Sequence, residues 1–173
     1  MRKMYLSAPL PFVGQKRMFA KEFMKVLEQY PDGTLFVDLF GGSGLLSHIA
    51  KSLKPHSTVI YNDFDNYRFR MKHIPQTNQL LADIREMVGN SVPRHKIIKG
   101  ELRERILSRI EQEENTTGYV DFITLSSSIL FSMKYKLSVQ DMRKEALYNN
   151  IRKTGYPECA DYLEGLEIVS CDY

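Results

Sequence analysis

The sequence predicts an α/β fold: a parallel sheet with packed helices, interrupted by a long helical insertion. Three observations predict it. A strand, a glycine turn, a helix and a second strand follow one another over residues 34–61, which is one βαβ unit. Helical periodicity then dominates from residue 78 to about 163, and "LEIVS" at 166–170 returns to strand character. The division expected is 1–77 for the first part of the α/β core, 78–165 for the insertion and 166–173 for the returning strand.

Lys16–Tyr30 reads as a helix with Phe19, Phe23, Val26 and Leu27 on its apolar face. "PDG" at 31–33 is a turn. Thr34–Phe40 is β-rich and continuously apolar, the pattern of a strand buried on both faces. Gly44–Leu53 resumes a helical pattern that stops near Pro55, and "STVIY" at 57–61 is the second strand. A helix starts near Phe64 and breaks around Pro75, whose ring cannot sit in a helix interior. Tyr61, Tyr67 and Met71 read as core residues. Four helices are expected in the insertion, over 78–88, 101–114, 117–132 and 138–153, the last capped by Ser138 with Asp141.

The 173 residues are 43% hydrophobic and 26% charged, enough apolar material to bury a core without metal or disulfide staples. Two cysteines, Cys159 and Cys171, stand outside any CxxC or zinc spacing, so a reducing, cytoplasmic setting and no metal are expected. No apolar run approaches a membrane span. Net charge is only +3 but uneven: residues 134–153 hold Lys134, Lys136, Arg143, Lys144, Arg152 and Lys153 against Asp141 and Glu145. Clustered cations suit a polyanion, and the same run also suits a solvated helix face.

"FVDLFGGSG", 36–44, carries the chemistry. Glycines at the end of a strand let backbone approach a ligand closely, and the next helix start offers free N–H groups. The turn lacks the Gly-Lys-Ser/Thr of a P-loop and the full GxGxxG of a dinucleotide site. Asp38 beside it disfavours a phosphate. The second strand ends in "YNDFDN", placing Asp63 where a carboxylate accepts hydrogen bonds from ribose hydroxyls. An adenosine ligand with a cationic or zwitterionic end fits these features, and S-adenosylmethionine fits them better than NAD.

Three segments, in order, resemble the D12 (Dam-like) class of DNA adenine-N6 methyltransferases: "PFVGQKR" at 11–17, "FVDLFGGSG" at 36–44 and "YNDFDN" at 61–66. The resemblance implies a Rossmann-like S-adenosylmethionine-dependent core with an incomplete sheet. It implies that Phe12 packs on the cofactor and Lys16 contacts its amino-acid end. It also implies that Asp38, Phe40, Gly41, Gly42 and Gly44 line the cofactor and that Asp63 takes the ribose hydroxyls, although the residues themselves leave Asp63 open as a cap of the next helix. The insertion falls where that family places target recognition, which makes double-stranded DNA the expected partner and Lys134, Lys136, Arg143 and Lys144 the expected phosphate contacts. "FITLSSSILFS", 122–132, faintly resembles an apolar helix of that domain, but the Asn-Arg pair expected after it is absent.

The family's proline-pair catalytic motif, Asp/Asn/Ser-Pro-Pro-aromatic, is also absent, because no two of the seven prolines are adjacent. "LEIVSCDY" resembles the strand that precedes that motif, and Cys171-Asp172-Tyr173 do not replace it. No catalytic residue is therefore assigned. The chain is expected to be an N-terminal portion, inactive alone, whose exposed sheet edge favours self-association. Two other readings stay open: a non-catalytic, degenerate S-adenosylmethionine- or DNA-binding module, and a methyltransferase acting on RNA or a small molecule.

Overall fold

The computed structural model describes residues 3–14, 16–131 and 134–171. The chain forms two compact units, Met1–Lys72 with Glu158–Tyr173, and His73–Pro157. The sequence places these breaks at 77/78 and 165/166.

The first unit is mixed α/β. Strands β1 (Phe36–Asp38), β2 (Val59–Asn62) and β5 (Glu167–Val169) make a three-stranded parallel sheet in the order β1-β2-β5. Its register places Phe36 opposite Val59 and Ile60 opposite Glu167. Helices α1 (Ala20–Glu28) and α2 (Leu45–Leu53) form the core with the sheet through Ala20, Leu27, Leu45, Ile49, Ala50 and Val59, and Phe23, Met24 and Phe36 pack against it. Burying these side chains is the main stabilising term, about 1.5–3 kcal/mol for each large one.

Two expectations need correction here. The first helix opens as a 3-10 turn over Lys16–Phe19, and its core-facing stripe is Ala20 and Leu27, buried, with Phe23 and Met24, partly buried, at the i, i+3, i+4, i+7 spacing. Phe19 and Val26, placed on that face from sequence, are 66% and 46% exposed. The first strand is shorter than 34–40 and not buried on both sides, since Leu35, Val37 and Leu39 are all more than half exposed. It is an edge strand, and α1 and α2 pack on the side carrying Phe36 and Val59.

The turn at 31–33 is held by one carboxylate. Asp32 Oδ1 accepts from the amides of Gly33 and His56, both at 3.0 Å. After β2 come α3 (Tyr67–Lys72) and, in the second unit, α4 (Ile74–Val88), which starts with Pro75 in its first turn, where a missing N–H costs nothing.

The second unit adds α5 (Gly100–Thr117), α6 (Phe122–Ile129) and α7 (Val139–Arg143). Its core includes Leu81, Ile84, Ile106, Ile110, Leu125 and Met142, all at most 2% exposed. Asp121 caps α6 by accepting from Thr124 N–H at 3.1 Å, and Ser138 caps α7 through Asp141 N–H at 3.1 Å. Two serines inside α6 are buried and satisfied: Ser128 Oγ donates to Thr124 C=O at 2.9 Å, and Ser126 Oγ accepts from Lys136 N–H at 3.0 Å.

The helix expected over 138–153 also needs correction. It stops at Arg143, and Leu147–Tyr148 (β4) pairs antiparallel with Ile97–Ile98 (β3). Among the described residues no helix is long and apolar enough to cross a membrane.

Candidate ligand-binding site

In the first unit, a cavity of about 210 Å³ lies beside the glycine turn. Three segments line it: Phe12, Val13, Gly14 and Lys16; Phe40, Gly41, Gly42, Ser43 and Leu45; and Asn62, Phe64 and Asp65.

Glycine is needed at position 41 for packing. A Cβ there would stand 2.2 Å from the Tyr61 ring and 2.6 Å from the Asn62 carbonyl oxygen. Tyr61 therefore fills the space beneath the turn. Its hydroxyl lies 2.7 Å from Gly42 O and 2.9 Å from Asp63 Oδ1, within donating distance of both. Burial, then the Asp63 carboxylate, raises the Tyr61 pKa far above its ordinary value, so the group stays a neutral donor. Gly44 takes the left-handed conformation, φ +69°, as the residue before α2, and packs on Leu163 and Tyr61.

Above the turn sits Phe12, whose ring edge comes 3.0 Å from where a Cβ of Gly42 would be. The strap carrying Phe12 is tied to α3. Tyr67 Oη accepts from Leu10 N–H at 2.9 Å and lies 3.1 Å from Leu10 C=O, Arg70 donates to Pro11 C=O at 2.8 Å, and the Phe12 and Tyr67 rings meet edge-to-face at 5.8 Å. Lys16 Nζ donates to the Phe40 carbonyl and stands 3.6 Å from Asp38 Oδ1. Asp38 also accepts from Ser47 Oγ at 2.7 Å.

The site residues read from sequence therefore divide. Phe12, Lys16, Phe40, Gly41 and Gly42 line the cavity, whereas Asp38, Gly44 and Asp63 stand behind its wall. Asp63 is 6% exposed and its carboxylate is engaged by the backbone: Oδ1 accepts from Tyr67 N–H at 2.6 Å and Oδ2 from Arg68 N–H at 3.0 Å. It caps α3. Asp65, two residues on, is exposed, lines the cavity and has no partner among the described residues. Sequence reasoning passed over Asp65, although "DFD" offers two carboxylates and only the backbone decides which turns inward.

Asn62 was passed over as well. Its amide donates to Leu39 C=O at 3.1 Å and Cys171 C=O at 3.0 Å, and accepts from Cys171 N–H at 2.9 Å. It thereby ties together the ends of all three strands. Asp172 and Tyr173 lie outside the described residues.

The four cations expected to contact phosphate are all in ion pairs. Glu145 lies 2.6 Å from Lys134 and 3.0 Å from Lys136, Arg143 pairs with Glu104 at 3.2 Å and Glu111 at 2.9 Å, and Lys144 pairs with Asp141 at 2.7 Å. Glu104 and Glu111 come from α5, so the local charge balance could not be counted along the sequence. The described residues include no cluster of three His, Cys, Asp or Glu able to hold a metal.

The chain is 42% identical, over 173 positions, to a Haemophilus influenzae (strain Rd) protein named "Putative methyltransferase". The match covers 98% of this chain and 57% of that protein, so the chain spans less than two thirds of its relative. No model of a known protein family matches, and no solved structure matches.

Proposed function

We propose that this chain is the cofactor-binding part of a methyltransferase that uses S-adenosylmethionine, built on a Rossmann-like core, with the N6 amine of adenine in double-stranded DNA as methyl acceptor. The observation that carries the reading is the convergence of three segments on one cavity: Phe12–Lys16, the glycine turn and the exit of β2. The same three segments carry the resemblance to adenine-N6 methyltransferases, and the relative's name agrees with methyl transfer.

The lining suits the ligand's parts. The Phe12 ring offers an apolar face, Lys16 a cation for a carboxylate, and Asp65 a free carboxylate for vicinal hydroxyls. Asp38 keeps Lys16 from acting as a bare positive charge, which favours a zwitterion over a phosphate. Asp63 contributes from behind by fixing the turn that presents Asp65. When bound, the cofactor supplies an electrophilic methyl group. This chain's residues bind and orient it, and none is assigned to the transfer step.

A thermal shift with the purified protein tests the reading. A ligand at 100 times its Kd stabilises the native state by about 2.7 kcal/mol, roughly 5–10 °C for a chain of this size. S-adenosylhomocysteine should produce that shift. An equal shift with ATP or NAD, or none at saturating S-adenosylhomocysteine, counts against the assignment.

A further inference from the structure

We infer that the nucleic-acid-facing surface of the second unit is the patch around β3 and β4, formed by Arg94, His95, Lys96, Arg152 and Lys153 with Arg85 beside them, and not the cationic run 134–144. The inference rests on the DNA-methyltransferase reading and adds to it which surface meets the duplex.

Cations far apart in sequence meet here. His95 N–H donates to Asn149 C=O at 2.8 Å and Asn149 N–H to Lys96 C=O at 2.9 Å, continuing the β3–β4 pairing. Arg94 donates to Ile151 C=O at 3.1 Å, and Arg85 Nε to Arg152 C=O at 2.8 Å. The Arg152 guanidinium lies over the Tyr156 ring, 4.5 Å from its centroid. Arg94, His95, Lys96, Arg152 and Lys153 are all exposed.

What separates this patch from the run 134–144 is its partners. Here the side-chain acceptors are backbone carbonyls, the Asn150 amide oxygen and an aromatic face, none of which cancels charge. Lys96 and Lys153 have no side-chain partner among the described residues. Of the acids near this patch in sequence, Asp83 pairs with Arg109, and neither Glu86 nor Glu101 forms an ion pair with these cations among the described residues. In the other cluster Lys134, Lys136, Arg143 and Lys144 each pair with a carboxylate of Glu104, Glu111, Asp141 or Glu145, and Arg103 pairs with Glu104 as well. A phosphate approaching there meets cations that already hold carboxylate partners, and displacing those carboxylates offsets what it gains. Around β3 and β4 it meets cations with no carboxylate partner among the described residues, where displacing bound counterions favours binding. Backbone bonds also hold the two arginines in fixed positions, so less freedom is lost on contact.

The test is fluorescence anisotropy of a labelled DNA duplex against the full chain, titrated in salt. Lys96→Ala with Lys153→Ala removes two cations that make no internal bond, so the melting temperature should hold. Affinity should fall for all sequences alike, and the log–log salt slope should flatten by up to about 1.8, at about 0.9 per phosphate. Arg143→Ala with Lys144→Ala should leave the slope unchanged. Equal binding by the parent and the Lys96/Lys153 variant, or a larger loss in the Arg143/Lys144 variant, overturns the surface assignment. Absence of duplex binding at low salt, or tighter binding of single-stranded RNA, overturns the partner class. The cofactor reading is judged separately, by the thermal shift with S-adenosylhomocysteine.

Discussion

Replacing Asp65 by Asn and, separately, Asp63 by Asn should have opposite signatures. Asp65 is exposed, makes no internal bond and lines the cavity, so Asp65→Asn should leave the melting temperature where it is. It should weaken S-adenosylhomocysteine instead. A hydrogen bond to a charged acceptor contributes about 1.5–3 kcal/mol, which converts to roughly 10- to 150-fold in Kd. Asp63 is buried and its two oxygens accept from the Tyr67 and Arg68 amides. Asn keeps one acceptor oxygen and turns the other into a donor facing an N–H group. Loss of a helix cap costs about 0.5–2 kcal/mol, or roughly 1–8 °C in melting temperature. Isothermal calorimetry on both variants, with the parent as reference, reads the affinities, and a melt reads the stabilities. An S-adenosylhomocysteine analogue lacking the ribose hydroxyls adds a control, because the Asp65→Asn penalty should vanish with it. The reasoning is refuted if Asp65→Asn binds as tightly as the parent while a folded Asp63→Asn does not.

Gly41→Ala should destabilise the protein by about 1–3 kcal/mol through overpacking, since its Cβ meets the Tyr61 ring and the Asn62 carbonyl. A chemical denaturation curve checks this, and an unchanged midpoint would rule out the packing account of that glycine. Ser138→Ala should cost about 0.5–2 kcal/mol by uncapping α7, read from the same curve. The hydrogen bonds from Lys134 and then Lys136 hold the Glu145 carboxyl below its ordinary value of 4.5. A carboxyl lowered in the folded state adds stability that is fully present above the unfolded value and is lost as pH falls through the folded one. Melting temperature should therefore drop on acidification below about pH 4.5, and Glu145→Gln should remove that part of the drop. An identical acid profile in parent and variant would show that the pair contributes nothing.

How much of this was legible follows from how local each signal is. Glycine turn and capping serine are local chemistry, and Gly44 and Ser138 stand where the sequence implies; Pro75, read as a break, falls in the first turn of α4 just after α3 ends. Sheet position is not local. Leu35, Val37 and Leu39 read as a buried strand, yet their exposure depends on which side α1 and α2 pack. The β3–β4 pair was hidden because two-residue strands carry no periodicity and their partners lie about fifty positions apart in sequence. Charge was misjudged for the same reason: Arg143 looks uncompensated in its own segment until α5 brings Glu104 and Glu111.

The candidate site itself shows why consecutive residues had to be separated by structure. Tyr61, Asn62 and Asp63 follow one another, and each supports a different wall. The Tyr61 ring fills the space a Cβ at Gly41 would need, and its hydroxyl lies against the glycine turn. Asn62 fastens the ends of β1 and β5 to β2 through one amide. Asp63 starts α3, and α3 holds the Phe12 strap through Tyr67 and Arg70. A carboxylate so placed acts on the cavity at two removes, since loosening α3 loosens the strap, and with it the ring that rests on Gly42. Asp65 has no such duties, and an acidic side chain without internal work at the rim of a cavity is the one available to a ligand. "YNDFDN" runs along this cavity, and the backbone's hydrogen bonds engage Asp63 and leave Asp65 at the rim.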